Sequence, residues 1–193
     1  MVTSVALYLA FLAALYGERL VELVITHRNA RRAFARGGVE TGRGHYAVMV
    51  AVHAVFPLAC GVEVLALARR FPGALGYSAL ALALAAQGIR WWVVATLGAR
   101  WSTRIIVVPG AAPVTGGPFR LLRHPNYLAV MLEAFAVPLI HGAWLSALVF
   151  SAADAALLAV RIPAEERALG APYAEAFAGR RRFLPRGPLG RQV

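Results

Sequence analysis

Lysine is absent from this sequence, and cysteine occurs once, at Cys60. A lone cysteine excludes a disulfide or a cysteine metal cluster within one chain. Charged residues are also scarce, since they make up 15% of the chain while hydrophobic residues make up 60%. Soluble domains have about 25% charged and about 45–50% apolar residues. So large an apolar excess has to meet lipid, and the sequence therefore predicts an integral membrane protein.

The apolar residues form five stretches. Residues 2–25, 45–68 and 73–97 are each long enough to cross a bilayer of about 30 Å as a helix. Residues 127–141 and 144–160 are shorter, and we expect a helical hairpin that turns at 141–143, because one straight helix would be too long for the bilayer. Strands of alternating polarity, which a membrane β-barrel needs, are not evident. The predicted fold class is all-α, a polytopic protein with about five transmembrane helices.

The arginines predict the orientation of these helices. They concentrate between spans one and two, between spans three and four, and after span five, whereas only Arg69 and Arg70 fall on the opposite side. By the positive-inside rule, the N-terminus lies outside and the C-terminus in the cytosol, with the chain integral to the cell membrane. Because the arginines flank spans, we expect them to contact lipid headgroups and we expect no binding of nucleic acid. The sequence does not specify an oligomeric state.

The chain divides into two predicted regions. Residues 1–97 form a three-span membrane region with a cytosolic basic loop at 26–44, and residues 98–193 form a catalytic region. Within the second region we expect a cofactor loop at 98–125, a hairpin at 126–160 and a cytosolic tail at 161–193. Prolines and glycines exclude a regular helix in the loop. Pro163 and Pro172 are each placed to open a helix in the tail.

Two polar clusters flank the hairpin. Residues 116–127 run directly into span four, and Arg161, Glu165, Glu166 and Tyr173 follow span five. The hairpin brings these clusters together at one membrane face. Individually, the basic residues could be interfacial anchors and the glutamates could be acids favoured by a helix N-terminus. Together, an imidazole, guanidiniums, phenols and paired carboxylates favour a site. No HExxH-type motif is present, so no metal centre is predicted.

These motifs carry a family resemblance. Residues 117–120 and 123–127, followed after the hairpin by Arg161, by Glu165 and Glu166, and then by Tyr173 and 183–185, resemble the isoprenylcysteine carboxyl methyltransferase family. Segments 28–29, 44–46 and 100–104 look like its bacterial branch associated with type III polyketide synthases. Members of that branch are thought to O-methylate alkylpyrones or alkylresorcinols.

The resemblance implies S-adenosyl-L-methionine as cofactor and a lipophilic acceptor that enters from the bilayer. Arg123 or Arg161 suits the methionine carboxylate, and Glu165 or Glu166 suits the ribose or the ammonium. His124 and Tyr127 are then placed for the adenine or for contacts with the loop. Catalytic roles are expected for Glu166, Arg161 and His124. Cofactor binding is expected for Gly117, Pro118, Arg123, His124, Pro125, Tyr127, Glu165, Glu166 and Tyr173.

Ionisable residues inside the spans leave two interpretations open, because buried charges either pair with one another or line a cavity. Arg90 is expected either to pair with a glutamate or to contact substrate. Glu133 lies two turns into span four from His124, so it is a second substrate candidate. An acceptor that is already an anion needs no base, whereas a phenol would benefit from His124 or a glutamate.

Two other functions are compatible with the sequence. One is a steroid-reductase-like membrane oxidoreductase, which would use NADPH and need a site for its 2′-phosphate. The other is a non-catalytic membrane subunit or small transporter, in which the polar clusters are only anchors. Binding of S-adenosylhomocysteine separates both from a methyltransferase.

Overall fold

The computed structural model of the chain describes residues 2–183, which contain five α-helices. Two short antiparallel strands, β1 (Val39–Thr41) and β2 (Ile105–Val107), join the first and third connections, with Glu40 opposite Ile106. The all-α fold of a membrane protein is confirmed. The helices are α1 (Val2–Ala35), α2 (Arg43–Ala66), α3 (Ala74–Leu97), α4 (Pro125–Leu139) and α5 (Trp144–Ala176).

The helices differ in how they suit a bilayer. Within residues 2–183, α2, α3 and α5 are each long and apolar enough to cross it. Helix α4 has 15 residues and is about 22 Å long, less than the thickness of about 30 Å. Helix α5 has 33 residues and breaks at Gly170; its part before the break, residues 144–169, is about 39 Å long and so exceeds that thickness. The orientation of the bundle stays a prediction.

Helix α1 is longer than expected, because the predicted basic loop 26–44 is largely helical. Residues 26–35 continue α1 through a run of arginine and alanine, which are good helix formers. The helix ends where Gly37 adopts a left-handed φ of 76° and the Gly38 amide donates to the carbonyl of Ala33. This glycine termination is a common helix stop. Only the short connection that contains β1 separates α1 from α2.

Helix α5 also continues past its predicted end. Pro163 lies inside the helix and does not open a new one, whereas Pro172 follows a break at Gly170. The extension carries Arg161 and Glu165, whose side chains bind neighbouring elements and hold the helix in place. Leu184 and Pro185, which belong to the motif at 183–185, lie outside the described residues.

Small residues allow the closest helix pair. Ala79, Ala83 and Ala86 of α3 are buried, as are Ala129 and Ala136 of α4. Small side chains let membrane helices approach closely and gain van der Waals contact. The hairpin of α4 and α5 turns at 140–143. This packing sets α4 between α3 and α5, so that the start of α4 faces the extension of α5.

A network of buried charges joins α1, α3 and α4. Arg90 donates from Nε and Nη2 to the two oxygens of Glu22, at 2.6 and 2.7 Å. Arg19 donates to Glu22 at 3.0 Å and to Glu133 at 3.2 Å. Gln87 accepts a hydrogen bond from Arg19 at 2.9 Å. The predicted pairing of Arg90 with a glutamate is therefore present, and Glu133 belongs to the same network.

Glu63 has a different structural role at the opposite end of the bundle. Its carboxylate accepts hydrogen bonds from the amides of Leu145 and Ser146, at 3.2 and 2.7 Å, and from Arg69 at 3.0 Å. These amides lie in the first turn of α5, where they have no partner within the helix. Arg69 also lies over the ring of Trp144. Glu63 therefore caps α5 from α2.

The buried pair predicts a stability effect. Replacing Glu22 with alanine leaves the Arg90 guanidinium in an apolar bundle without its two main acceptors, so we expect a loss of about 3–5 kcal/mol in the free energy of unfolding. Denaturant unfolding of the detergent-purified protein measures this loss. The matched control is Glu175→Ala, which removes an exposed carboxylate from α5. Equal stability of the two variants would contradict the role of the network.

Candidate functional site

One large cavity of about 1000 Å³ lies where all five helices and the connection after α3 meet. At one end it is lined by the predicted motif residues, among them Arg123, His124 and Tyr127. At the other it reaches the charge network, including Glu22 and Arg90. The cavity therefore connects the polar cluster at the start of α4 with the charge network, and apolar side chains of α1 and α2 line it as well.

His124 lies at this polar end, just before α4, where Pro125 begins the helix. Its Nε2 lies 3.0 Å from Oε1 of Glu166, and its ring is 5.3 Å from the ring of Tyr127 and 6.1 Å from that of Tyr173. The side chain is buried. Because Nε2 is engaged by Glu166, the imidazole is held in one orientation.

Glu166 is bound on its other side by Arg182. The guanidinium donates to both carboxylate oxygens, at 3.1 and 2.6 Å. These hydrogen bonds raise the pKa of Arg182 above its ordinary value, so the residue stays charged. The amides of Arg123 and His124 donate to the carbonyls of Arg181 and Arg182, at 3.0 and 3.2 Å. The segment after α5 is thus tied to the segment before α4.

Arg161 is the second centre of the site. Its Nε donates to the hydroxyl of Tyr127 at 2.9 Å, and that hydroxyl donates to Glu165. Its Nη2 donates to the carbonyl of Thr103. One guanidinium therefore joins α4, α5 and the connection after α3. Tyr173 completes this end of the cavity by donating to the carbonyl of Arg123 at 3.2 Å.

Three polar atoms at this end are buried and have no hydrogen-bond partner among residues 2–183. They are Nη1 of Arg161, Nε of Arg123 and Oδ1 of Asn126, and all three residues line the cavity. Unpaired buried polar groups are costly, so they indicate that a ligand completes the site. Two donors from guanidiniums suit an anionic group, and an amide oxygen suits a hydroxyl or an ammonium.

The predicted site residues fall into two groups. Those that line the cavity are Arg90, Arg123, His124, Pro125, Tyr127, Arg161, Glu165 and Tyr173. Those that lie behind its surface are Gly117, Pro118, Glu133 and Glu166. Gly117 has a left-handed φ of 53°, and a Cβ there would come within 2.3 Å of Thr96. Gly117 therefore allows the connection before α4 to pack closely against α3.

Sequence reasoning missed several residues of the site. Thr103 takes part through its carbonyl, and Arg182 through a distant ion pair, so neither has a local signal. Asn126 lies within the motif at 123–127, but the sequence predicts no role for it. His53 was missed although an ionisable residue within a span is itself a signal of function. Within residues 2–183, no three His, Cys, Asp or Glu side chains are grouped so that they could hold a metal ion.

Comparisons with known proteins agree with these motifs. The model of a family described as isoprenylcysteine carboxyl methyltransferase matches residues 79–171. The uncharacterized protein YpbQ of Bacillus subtilis (strain 168) is 37% identical over 158 residues, which cover 82% of this chain and 94% of that protein. An uncharacterized protein of Haemophilus influenzae is 27% identical over 158 residues, 81% of this chain and 91% of its own.

The geometry predicts that Glu166 holds the chain after α5. Replacing it with alanine removes the acceptor of both Arg182 hydrogen bonds and the partner of His124. We expect faster hydrogen–deuterium exchange at the amides of Arg123 and His124, because their acceptor carbonyls belong to the released segment. Glu175→Ala, on the exposed side of α5, is the control and should exchange like the unmodified protein. Unchanged exchange in Glu166→Ala would show that the backbone contacts alone suffice.

Proposed function

Because the chain belongs to the isoprenylcysteine carboxyl methyltransferase family, we propose that it is a membrane-embedded, S-adenosyl-L-methionine-dependent O-methyltransferase acting on a lipid-like acceptor. The observation that carries this proposal is the continuous cavity. It has unpaired guanidinium and amide atoms at the start of α4, and apolar side chains of α1 and α2 line it beyond that end. A polar cofactor and an apolar acceptor can therefore occupy it together.

The residues at the polar end fit the proposed cofactor. Nη1 of Arg161 and Nε of Arg123 are donors for its carboxylate, and Glu165 and Oδ1 of Asn126 are acceptors for its ammonium or ribose hydroxyls. The rings of His124 and Tyr173 offer surfaces for the adenine. When bound, the cofactor supplies a methyl group carried on a sulfonium. Glu166 does not line the cavity and holds His124 in place.

The acceptor we propose has a long apolar chain and an oxygen nucleophile, as in an alkylpyrone, an alkylresorcinol or an isoprenylcysteine. The apolar residues of α1 and α2 that line the cavity, such as Leu20, Leu23 and Val50, suit such a chain. We also propose that the polar end faces the cytosol, where the methyl donor is made. The concentration of arginine at this end of the bundle supports that orientation.

Calorimetric titration with S-adenosylhomocysteine tests the cofactor. We expect binding by the detergent-purified protein, and we expect Arg161→Gln to weaken it by about 10-fold or more, because a hydrogen bond to a charged group contributes about 1.5–3 kcal/mol. The matched control is Arg167→Gln, six residues along α5 on its exposed side. We expect this control to bind like the unmodified protein.

Transfer of a labelled methyl group to lipid extracts tests the reaction. The unmodified protein should label a lipid, and Glu166→Ala should abolish labelling by releasing His124. If the calorimetric titration shows no binding of S-adenosylhomocysteine, the proposed function is wrong. Tight binding of NADPH in its place would favour the oxidoreductase.

A further inference from the structure

A second pair of titratable groups lines the cavity away from the proposed cofactor end. His53 of α2 and Asp154 of α5 both belong to its lining, and Nε2 of His53 lies 3.8 Å from Oδ1 of Asp154. Asp154 is 3% exposed, and its Oδ2 has no hydrogen-bond partner among residues 2–183. Burying a carboxylate oxygen without a hydrogen-bond partner costs free energy, and ionisable residues buried in membrane helices are often functional. We therefore consider this pair as a candidate for a role in the reaction.

The tautomer of His53 follows from its neighbour. Nδ1 lies 2.8 Å from the carbonyl oxygen of Met49. A carbonyl can only accept, so Nδ1 carries a proton and Nε2 of the neutral ring carries a lone pair. That lone pair lies on the side of Asp154, at a distance too long for a direct hydrogen bond. The side chain of His53 is 34% exposed and lines the cavity.

The other histidines are less suitable as bases. All five lie within residues 2–183, and only His53 and His124 line the cavity. Nε2 of His124 is already engaged by Glu166 at 3.0 Å. Of the carboxylates that line it, Glu22 is held by two hydrogen bonds from Arg90, and Glu165 accepts from Tyr127. Asp154 also has an oxygen without a partner among residues 2–183, and it lies beside His53. Of the two histidines that line the cavity, His53 is therefore the one whose Nε2 is not held by a carboxylate within hydrogen-bond distance.

Position along α5 relates this pair to the cofactor end. Asp154 precedes Arg161 by seven residues, so the two lie on the same face of the helix, about 10 Å apart along its axis. Both line the cavity, together with Leu157 and Leu158 between them. A cofactor held at Arg161 leaves this interval for the polar head of an acceptor.

We propose that His53 is the general base that deprotonates a neutral hydroxyl acceptor, and that Asp154 is a positioning residue that stabilises the resulting imidazolium. This assignment rests on the proposed O-methyl transfer and restricts it to acceptors such as a phenol or an enol, as opposed to a carboxylate. A carboxylate acceptor is already ionised and needs no base.

The proton and the electrons balance in this scheme. The hydroxyl proton passes to Nε2 of His53, which becomes the imidazolium beside Asp154. The acceptor oxygen uses its freed electron pair to form the bond to the methyl carbon, while the bond from that carbon to sulfur breaks and its pair stays on sulfur. The imidazolium then returns the proton to water, which restores the neutral ring.

Charged groups from every helix packed around the pair act on this proton. Guanidiniums from three helices interact electrostatically with His53, and charges of both signs interact with Asp154. The pH dependence of kcat therefore depends on all of these charges as well as on His53 and Asp154. For this reason, the pH profiles of the variants are compared with that of the unmodified protein. The groups are Arg19 of α1, Arg90 of α3, Glu133 of α4 and Arg161 of α5.

The experiment uses two acceptors of different acidity with the full chain in lipid nanodiscs. One is a 5-alkylresorcinol, which is neutral at neutral pH. The other is a 4-alkyl-2-nitrophenol, whose nitro group makes the hydroxyl far more acidic. We expect His53→Gln to lower kcat for the resorcinol about 100-fold, the size of a general-base contribution. At a pH where the bound nitrophenol is ionised in both proteins, we expect its kcat to be nearly unchanged. Asp154→Asn should lower kcat for the resorcinol by a smaller factor with the same selectivity.

A binding measurement supplies a readout without turnover. The nitrophenolate absorbs visible light, so its spectrum in the complex with S-adenosylhomocysteine shows whether the probe is bound as the anion. We expect His53→Gln to raise the apparent pKa of the bound probe by about one unit or more, because no group is left to take the proton in an apolar site. The matched control is His27→Gln on the exposed face of α1, which should leave kinetics and spectrum unchanged.

The outcomes separate this inference from the proposed function. Equal loss of rate for both acceptors in His53→Gln, with an unshifted spectrum, would mean that the pair only joins α2 to α5. Methylation of an isoprenylcysteine carboxylate but of neither phenol, or of no acceptor while S-adenosylhomocysteine still binds, also overturns the base assignment and leaves the cofactor site standing. Failure of S-adenosylhomocysteine to bind overturns the proposed function itself.

Discussion

A guanidinium buried among apolar helices must be paired, and this requirement determines how the bundle of this protein is assembled. Arg90 binds Glu22 through two short hydrogen bonds, and Arg19 extends the pair to Glu133, so that α1, α3 and α4 share one network. The close alanine packing of α3 against α4 brings these charges within reach of one another. Because Arg19, Glu22 and Arg90 also line the cavity, the interaction that holds the helices together forms part of the site.

The same use of arginine recurs at the polar end of the cavity. The guanidinium of Arg161 donates to the hydroxyl of Tyr127 on α4 and to the backbone carbonyl of Thr103. Its Nη1 has no partner among residues 2–183. A guanidinium can do this because its five N–H donors point in fixed, divergent directions, whereas an ammonium is a single point of charge. The complete absence of lysine from the chain is consistent with a protein in which basic residues organise structure and bind ligand at once.

The sequence was a good guide where local pattern and topology agree. Apolar length located the helices, and the turn between α4 and α5 implied that His124 and Glu166 would be neighbours, as they are. The sequence did not predict contacts made by residues in the irregular connection between α3 and α4. The prolines and glycines between Gly98 and Arg123 exclude a helix, but nothing in them indicates that the Thr103 carbonyl meets Arg161. Helix α1 continues beyond its predicted end because charged residues end an apolar span without ending the helix: arginine and alanine are good helix formers.

The capping of α5 by Glu63 has a consequence for how the protein responds to its membrane. Arg69 packs over Trp144 at the start of this helix, while Arg161 and Glu165 lie towards its other end. The part of α5 before the break at Gly170 therefore sets the distance between Trp144 and Arg161. When the bilayer thickens or thins, hydrophobic mismatch acts on this helix first, through tilt or local lipid adjustment. We therefore expect lipid acyl-chain length to affect the tilt of α5 and, with it, the position of Arg161 relative to the bilayer.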